Sequence, residues 1–310
     1  MPKREKLLRK YVYGCLAKKQ EKTPMIWRLV YAVHNADNYI VHTLVSILSA
    51  IKCFRKTSFT IHILHSDTVG DEWNDAIDRI CKKFSTTITL HCMPKIDRRI
   101  VDLCDVYSEA SLYRIFIPDI FDGDFVIYTD SDICFNICFD DIVSYVLRSR
   151  PFSLGAVKDG NSFVEHMYAY LIGKNIDPHL YFNSGFLVFN IKNIKSHFPD
   201  FSKRIQEILI KYNGLSYPDQ DALNILLCNH KSNDSLKNMV LYMPEKFNFN
   251  INRRKMFNNF PKSLKNINIH YAGIKPWQDA YPASIYYWRN REELFSICGL
   301  KNHMPNGAGL

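Results

Sequence analysis

No stretch of the 310-residue sequence approaches the roughly 18 uncharged apolar residues of a membrane-crossing helix, so the chain is not expected to span a bilayer. Glycine and proline are sparse, at 12 and 13 residues, which excludes collagen-like and linker-like chains. Nine cysteines lie scattered with no Cys-x-x-Cys pair. Neither a disulfide framework nor a structural zinc site is expected, and a reducing cytoplasm is the simplest setting. The basic N-terminus lacks a following apolar segment with a small-residue cleavage site, so it does not read as a secretory signal. No repeat, low-complexity tract or long Gly/Ser linker occurs. What is present is 47% apolar and rich in Tyr (18) and Phe (20), which excludes disorder and suffices for one large core.

Charge is unevenly spread. The chain carries +9 at pH 7, and residues 1–22 hold Lys3, Arg4, Lys6, Arg9, Lys10, Lys18, Lys19 and Lys22 against Glu5 and Glu21. That segment alone is +6, leaving +3 for the remainder. Such an imbalance speaks of partners rather than of fold. Leu7, Leu8, Tyr11, Val12, Cys15 and Leu16 fall among these charges at mostly helical spacing. The segment reads either as a basic amphipathic helix resting on anionic lipid or as a solvated extension. No nucleic-acid motif or aromatic–basic ladder accompanies it, and nucleic acid is not expected as a partner.

From Trp27 onward, short apolar runs alternate with helical patterns. Residues 28–34, 58–66, 86–93 and 124–129 read as strands, and 39–54, 71–84 and 109–116 as helices, the last stopped by Pro118. This β-α-β-α-β order predicts an α/β fold with a mainly parallel, doubly wound sheet, whose ligands bind at the carboxyl ends of the strands. Later, 153–157 and 184–190 suit strands, and 200–212 and 219–228 helices, while 229–267 resists assignment. The expected organisation is a basic extension (1–26), one continuous catalytic domain (27–300) and a short tail (301–310).

The acidic pair Asp130 and Asp132 follows the apolar run Phe125–Thr129 directly. Positions i and i+2 share a face, and hard divalent ions take carboxylate oxygens, so a cation site competes here with a helix-capping turn. Three later segments add polar chemistry. Asn183-Ser184-Gly185 forms a polar corner before an apolar strand. Asp219, Gln220 and Asp221 open a helix, and His270, Gly273 and Lys275 share one loop ending at Trp277. Each has a structural alternative: a tight turn, an N-cap, a satisfied half-buried histidine.

Together, in this order, these segments resemble glycosyltransferase family 8, retaining enzymes of GT-A fold that use nucleotide sugars. The resemblance runs from about Arg28 to Trp277. It implies Asp130-Ser131-Asp132 as the D-x-D motif, with Asp130, Asp132 and His270 as ligands of Mn²⁺ (Mg²⁺ the alternative). It implies Arg114, Asp130, Ser131, Asp159, Asn183, Gly273 and Lys275 as donor contacts, and Gln220 with Asp219 beside the reacting sugar. An imidazole beside two carboxylates favours Mn²⁺ over Mg²⁺ on ligand chemistry as well. The chain departs from the family pattern in two places. Only Ile274 separates Gly273 from Lys275, which requires a tighter loop, and the base contact after the first strand stays open among His34, Asn35 and Asp37.

The implied activity is transfer of glucose or galactose from a UDP-sugar to a glycan or glycolipid acceptor. Bacterial members point to lipopolysaccharide core or another surface glycan, made at the cytoplasmic face of the inner membrane. A second basic cluster, Arg253-Arg254-Lys255 with Lys262 and Lys265, suits a phosphorylated acceptor or an ordinary solvated loop. The competing readings are a metal-dependent phosphohydrolase using Asp130 and Asp132, and a non-catalytic nucleotide-sugar or glycan-binding module. Against the hydrolase, Cys134 stands where its motif carries Thr or Val.

Overall fold

The computed structural model describes residues 25–34, 39–66, 69–103, 108–228, 239–251, 263–278 and 282–299. The first half is β1 (Trp27–Val33), α1 (Tyr39–Ile51), β2 (Phe59–His65), α2 (Asp71–Phe84) and β3 (Ile88–Cys92), then short helices α3 (Arg98–Asp102), α4 (Ala110–Tyr113) and α5 (Ile117–Ile120). β4 (Phe125–Thr129), β5 (Ile133–Cys134), α6 (Phe139–Arg148), β6 (Leu154–Lys158), α7 (Asn161–His166) and α8 (Tyr168–Gly173) follow. The remainder is β7 (Phe182–Asn190), α9 (Ile191–His197), α10 (Phe201–Lys211), α11 (Pro218–Leu227), β8 (Val240–Tyr242), β9 (Phe249–Asn250), β10 (Ile269–His270) and α12 (Ile285–Cys298).

Seven strands form one sheet in the order β3-β2-β1-β4-β7-β6-β8. Every neighbouring pair is parallel except the two made by β7, which runs against β4 and β6. The alternation of side chains along β1 builds both cores. Leu29, Tyr31 and Val33 join one cluster, with α1, α2 and α12, while Val30 and Ala32 join the other, with α4 and α9–α11. α1 is buried along almost its whole length, because the sheet covers one side and α12 packs on it as well. α2 is amphipathic, with Asp71 and Glu72 in its first turn and Lys82 and Lys83 in its last, each sign suiting the helix dipole.

Some expectations change. Pro118 does not stop a helix. The predicted 109–116 helix breaks into α4 and a 3-10 turn, and Pro118 stands in the first turn of α5, where a missing N–H costs no hydrogen bond. Asn183, Ser184 and Gly185 lie inside β7 rather than before it. The β6–β7 register jumps between Ala156, opposite Leu187, and Val157, opposite Asn183. Ser184, Gly185 and Phe186 therefore form a bulge, which detaches their backbone groups from β6. Helices α6, α9 and α12 had no counterpart in the sequence reading, and α11 begins at Pro218 with no side-chain cap.

A second sheet, β5-β10-β9, places His270 opposite Ile133, next to Asp132 in sequence. Among the described residues, no helix is long and apolar enough to cross a membrane.

Candidate active site

Because β7 is reversed, its start lies beside the carboxyl ends of β4 and β6. Asp130 follows β4, Asp159 follows β6, and Asn183 and Ser184 open β7, so one sheet edge gathers all four. The N-terminal turn of α11 brings Asp219 and Gln220 to the same edge. It is held there by Asn224, whose side-chain amide takes the Phe182 N–H at 3.0 Å and donates to the Phe182 carbonyl at 2.9 Å.

Asp130, Asp132 and His270 form the one group of candidate metal ligands among the described residues, their ligand atoms all within 4.8 Å of one another. Each carboxylate is divided. Asp130 Oδ1 accepts from Arg114 Nη2 at 3.0 Å and from the Tyr128 hydroxyl at 2.7 Å, while Oδ2 lies 3.9 Å from His270 Nε2. Asp132 Oδ2 accepts from Lys275 Nζ, while Oδ1 lies 3.3 Å from the same imidazole nitrogen. Asp132 Oδ1 is buried without a hydrogen-bond partner, a costly state that a cation relieves. Burial alone would raise the Asp132 carboxyl; Lys275 and His270 outweigh it and hold it well below the usual carboxylate range.

The imidazole is oriented from behind. His270 Nδ1 lies 2.8 Å from Asn248 Oδ1, and the Asn248 amide nitrogen donates to Asn183 Oδ1 at 2.8 Å. An amide oxygen only accepts, so Nδ1 donates to Asn248, and Nε2 is the nitrogen turned toward the two carboxylates, where it can ligate a cation. Gly185 makes the space. A Cβ there would lie 2.4 Å from His270 Cε1 and 2.8 Å from Asp130 Oδ2. The unpaired oxygen, the fixed imidazole and this cradle fit a divalent cation held by Asp130, Asp132 and His270.

Lys275 reaches Asp132 because Gly273 has φ +102°, a conformation that favours glycine and makes the short loop turn back. Burial opposes the Lys275 ammonium; Asp132 outweighs it and raises its pKa. Trp277 anchors the loop by stacking on His42 of α1, ring centroids 3.6 Å apart and 9° from parallel. Burial, seconded by Arg291, lowers His42 to about 3, so it packs there as a neutral ring.

Arg114 lies buried across the other side of Asp130. It donates to the Ser184 carbonyl at 2.6 Å and to the Ser184 hydroxyl at 2.9 Å, pairs with Asp219 at 3.2 Å, and lies over the Tyr128 ring. Asp219 accepts from the Ser184 hydroxyl at 2.9 Å. Burial pushes its carboxyl up in spite of Arg114. Gln220 spends its whole hydrogen-bonding capacity on protein. Its oxygen accepts from Asn183 Nδ2 and from the Ser184 N–H, both at 3.0 Å. Its nitrogen donates to Asp159 Oδ2 at 3.2 Å and to the Tyr181 oxygen at 2.8 Å.

Thus Asp130, Asp132, His270, Lys275, Arg114, Asp159, Asn183, Asp219 and Gln220 converge, with Gly273 shaping the loop. The Ser131 hydroxyl faces the scaffold instead, 2.7 Å from the Thr43 hydroxyl and 3.5 Å from the Ala32 carbonyl. Asn35, Asp37, residues 1–22, Arg253-Arg254-Lys255 and Lys262 lie outside the described residues. Sequence reasoning missed Asn248, Tyr128, Tyr181 and His42. The alternation Phe247-Asn248-Phe249-Asn250 was a period-2 signal for the first of these.

A solved galactosyltransferase, LgtC, in complex with donor and acceptor sugar analogues, superposes with TM-score 0.65 at 21% identity, covering 90% of this chain and 98% of that one. The fold is GT-A, a mainly parallel sheet flanked by helices. The model of glycosyl transferase family 8 matches residues 30–280, and the chain belongs to that family and is a glycosyltransferase. A lipopolysaccharide 1,2-glucosyltransferase of Escherichia coli is 26% identical over 261 residues, 82% of this chain and 75% of that protein. The lipopolysaccharide glucosyltransferase WaaO of Escherichia coli K12 is 26% identical over 256 residues, 80% and 73% of the two chains.

Proposed function

We propose that the chain is a retaining, Mn²⁺-dependent hexosyltransferase. It moves glucose or galactose from a UDP-sugar onto a glycan acceptor, lipopolysaccharide core or a related bacterial surface glycan, at the cytoplasmic face of the inner membrane. The observation that carries this reading is the division of both aspartates. Asp130 and Asp132 each give one oxygen to a cationic side chain and aim the other at His270 Nε2. Two carboxylates and an imidazole suit Mn²⁺, which when bound neutralises charge developing on a departing diphosphate. The E. coli relatives of known activity support the acceptor class.

The side chains then divide the work. Lys275, lying on Asp132, is the positive group within reach of a diphosphate at the cation site, and stabilises the leaving group electrostatically. Asp159, Asn183 and Asp219, with Arg114 behind them, offer the polar wall for the sugar hydroxyls. Gln220 is tied to four protein partners, and an amide so occupied is a poor nucleophile. Substitution on the face from which the diphosphate departs is therefore favoured over a covalent glycosyl-enzyme.

The test is release of UDP from a panel of UDP-sugars, with Mn²⁺ or with EDTA, beside the double variant Asp130→Asn/Asp132→Asn. Slow release from one sugar, dependent on Mn²⁺ and lost in the variant, is the expected result. No turnover and no calorimetric binding of UDP with Mn²⁺ would sink the reading; inorganic phosphate as product would favour a hydrolase.

A further inference from the structure

The hydrogen bonds behind the site form a single polarised chain. His270 Nδ1 donates to Asn248 Oδ1 (2.8 Å), Asn248 Nδ2 to Asn183 Oδ1 (2.8 Å), and Asn183 Nδ2 to Gln220 Oε1 (3.0 Å). Gln220 Nε2 then donates to the Tyr181 oxygen (2.8 Å), and the Tyr181 hydroxyl to Asp221 Oδ1 (2.6 Å). Every link runs the same way, from the imidazole to the carboxylate. The direction is fixed inside the chain as well as at its end. The Gly185 N–H donates to Asn183 Oδ1 and the Ser184 N–H to Gln220 Oε1, and a backbone N–H has no other option.

Asp221 is fully buried, and none of its hydrogen bonds reaches a candidate cation ligand or Lys275. Its carboxylate accepts from Tyr170 and Tyr181, both at 2.6 Å, and from the Tyr217 N–H at 3.0 Å. An ionised carboxylate cannot donate, so the Tyr181 proton is committed to it and the Tyr181 oxygen is left to accept from Gln220. We propose that Asp221 and Tyr181 are positioning residues of this site. They hold the Gln220 amide against the sugar-binding wall, and through Asn183 and Asn248 they tie it to the imidazole of His270. This deepens the glycosyltransferase reading and rests on it for its catalytic consequence, though not for the geometry.

Tyr170 supplies the control. It gives Asp221 a hydroxyl at the same distance as Tyr181, but its oxygen accepts from the Ser216 N–H instead of from Gln220. Tyr181→Phe and Tyr170→Phe therefore remove equivalent bonds from Asp221, and one of them alone cuts the chain. Hydrogen exchange of the side-chain amides of Gln220, Asn183 and Asn248, followed by ¹⁵N NMR on the full chain without nucleotide or metal, needs no turnover. Tyr181→Phe is expected to speed exchange at Gln220 at least tenfold and at Asn183 by less, with Tyr170→Phe near wild type. With the best UDP-sugar, Tyr181→Phe is expected to lower kcat about tenfold while KM stays within twofold.

Equal exchange in the two variants would overturn the proposal, whatever their stability. So would a Tyr181→Phe enzyme with wild-type kcat. A wild-type chain that turns over no UDP-sugar, yet shows the expected exchange difference, would count against the UDP-hexose donor reading and leave the positioning role standing.

Discussion

Gly185→Ala puts the cation site to its sharpest steric test. The added Cβ would lie 2.4 Å from His270 Cε1, 2.8 Å from Asp130 Oδ2 and 3.0 Å from Asn183 Oδ1. Ordinary contact begins near 3.4 Å, so the imidazole must retreat by about 1 Å and the Asp130 carboxylate by roughly half that. Metal ligands tolerate displacements of only about 0.2 Å. Both shifted groups are candidate ligands, so the damage falls on cation binding. Overpacking of this kind costs about 1–3 kcal/mol, equivalent to a roughly 5- to 150-fold loss of affinity if taken up by the ligands. The backbone itself is not strained, because Gly185 is absent from the positive-φ glycines and alanine can adopt its conformation. The assay is an electron paramagnetic resonance titration of Mn²⁺ into the purified variant, with circular dichroism to confirm folding. Gly70→Ala, whose Cβ would meet nothing within 4 Å, is the control. A folded Gly185→Ala protein that binds Mn²⁺ as tightly as wild type would refute the assignment of Asp130 and His270 to one cation.

Four further outcomes follow from the same geometry. Asn248→Ala removes the acceptor of His270 Nδ1 and is expected to weaken Mn²⁺ binding about 10- to 100-fold by calorimetry, with little change in far-ultraviolet dichroism. Lys275→Met frees Asp132 from its ammonium partner; Mn²⁺ should bind the nucleotide-free protein several-fold more tightly and UDP more weakly, opposite signs that calorimetry reads in one protein. Trp277→Ala loses the stack on His42 and is expected to lower stability by about 2 kcal/mol and to raise KM for the donor, read by urea denaturation and by UDP release. Burial raises the Asp221 carboxyl above its ordinary 3.8, so its share of stability is full below that pH and is lost as pH rises through the folded value. Asp221→Asn should therefore melt with a shallower decline than wild type above pH 3.8, and parallel curves would show that Asp221 does not ionise in this range.

The elements that were legible in the sequence are those whose burial is one-sided or complete over several residues. β1, β2, α2 and β4 announced themselves by period or by an unbroken apolar run ending in acid. The candidate site residues could also be named in advance, because Asp130, Asp132, Asn183, Gln220, His270 and Lys275 stand in polar clusters next to apolar runs. What was illegible depended on partners distant in sequence. β9 and β10 are two residues each, too short for any period, and exist because Phe249 and Ile269 pair across a register that β5 completes. Pro118 misled because proline is tolerated in the first turn of a helix as readily as it ends one. Ser131 misled by position. It stands between two candidate ligands, yet the turn between β4 and β5 aims its hydroxyl at Thr43.

The reversed strand β7 explains why the two halves of the site are mechanically joined. In an all-parallel sheet the strand beside β4 would present its end here, and its backbone would be spent on ladder bonds. β7 presents its start, and its bulge leaves three consecutive residues with backbone groups to share. The Gly185 carbonyl takes the Asp130 N–H at 2.8 Å, which sets the first aspartate. The Ser184 carbonyl accepts from Arg114 at 2.6 Å, the guanidinium that also holds Asp130 Oδ1, and the Ser184 N–H donates to the Gln220 oxygen at 3.0 Å. A displacement of β7 at this point thus moves a candidate cation ligand and the amide beside the sugar wall together. Substitutions in the bulge should for this reason lower cation affinity and turnover in step, whereas Lys275→Met and Tyr181→Phe, which act from outside β7, should separate them.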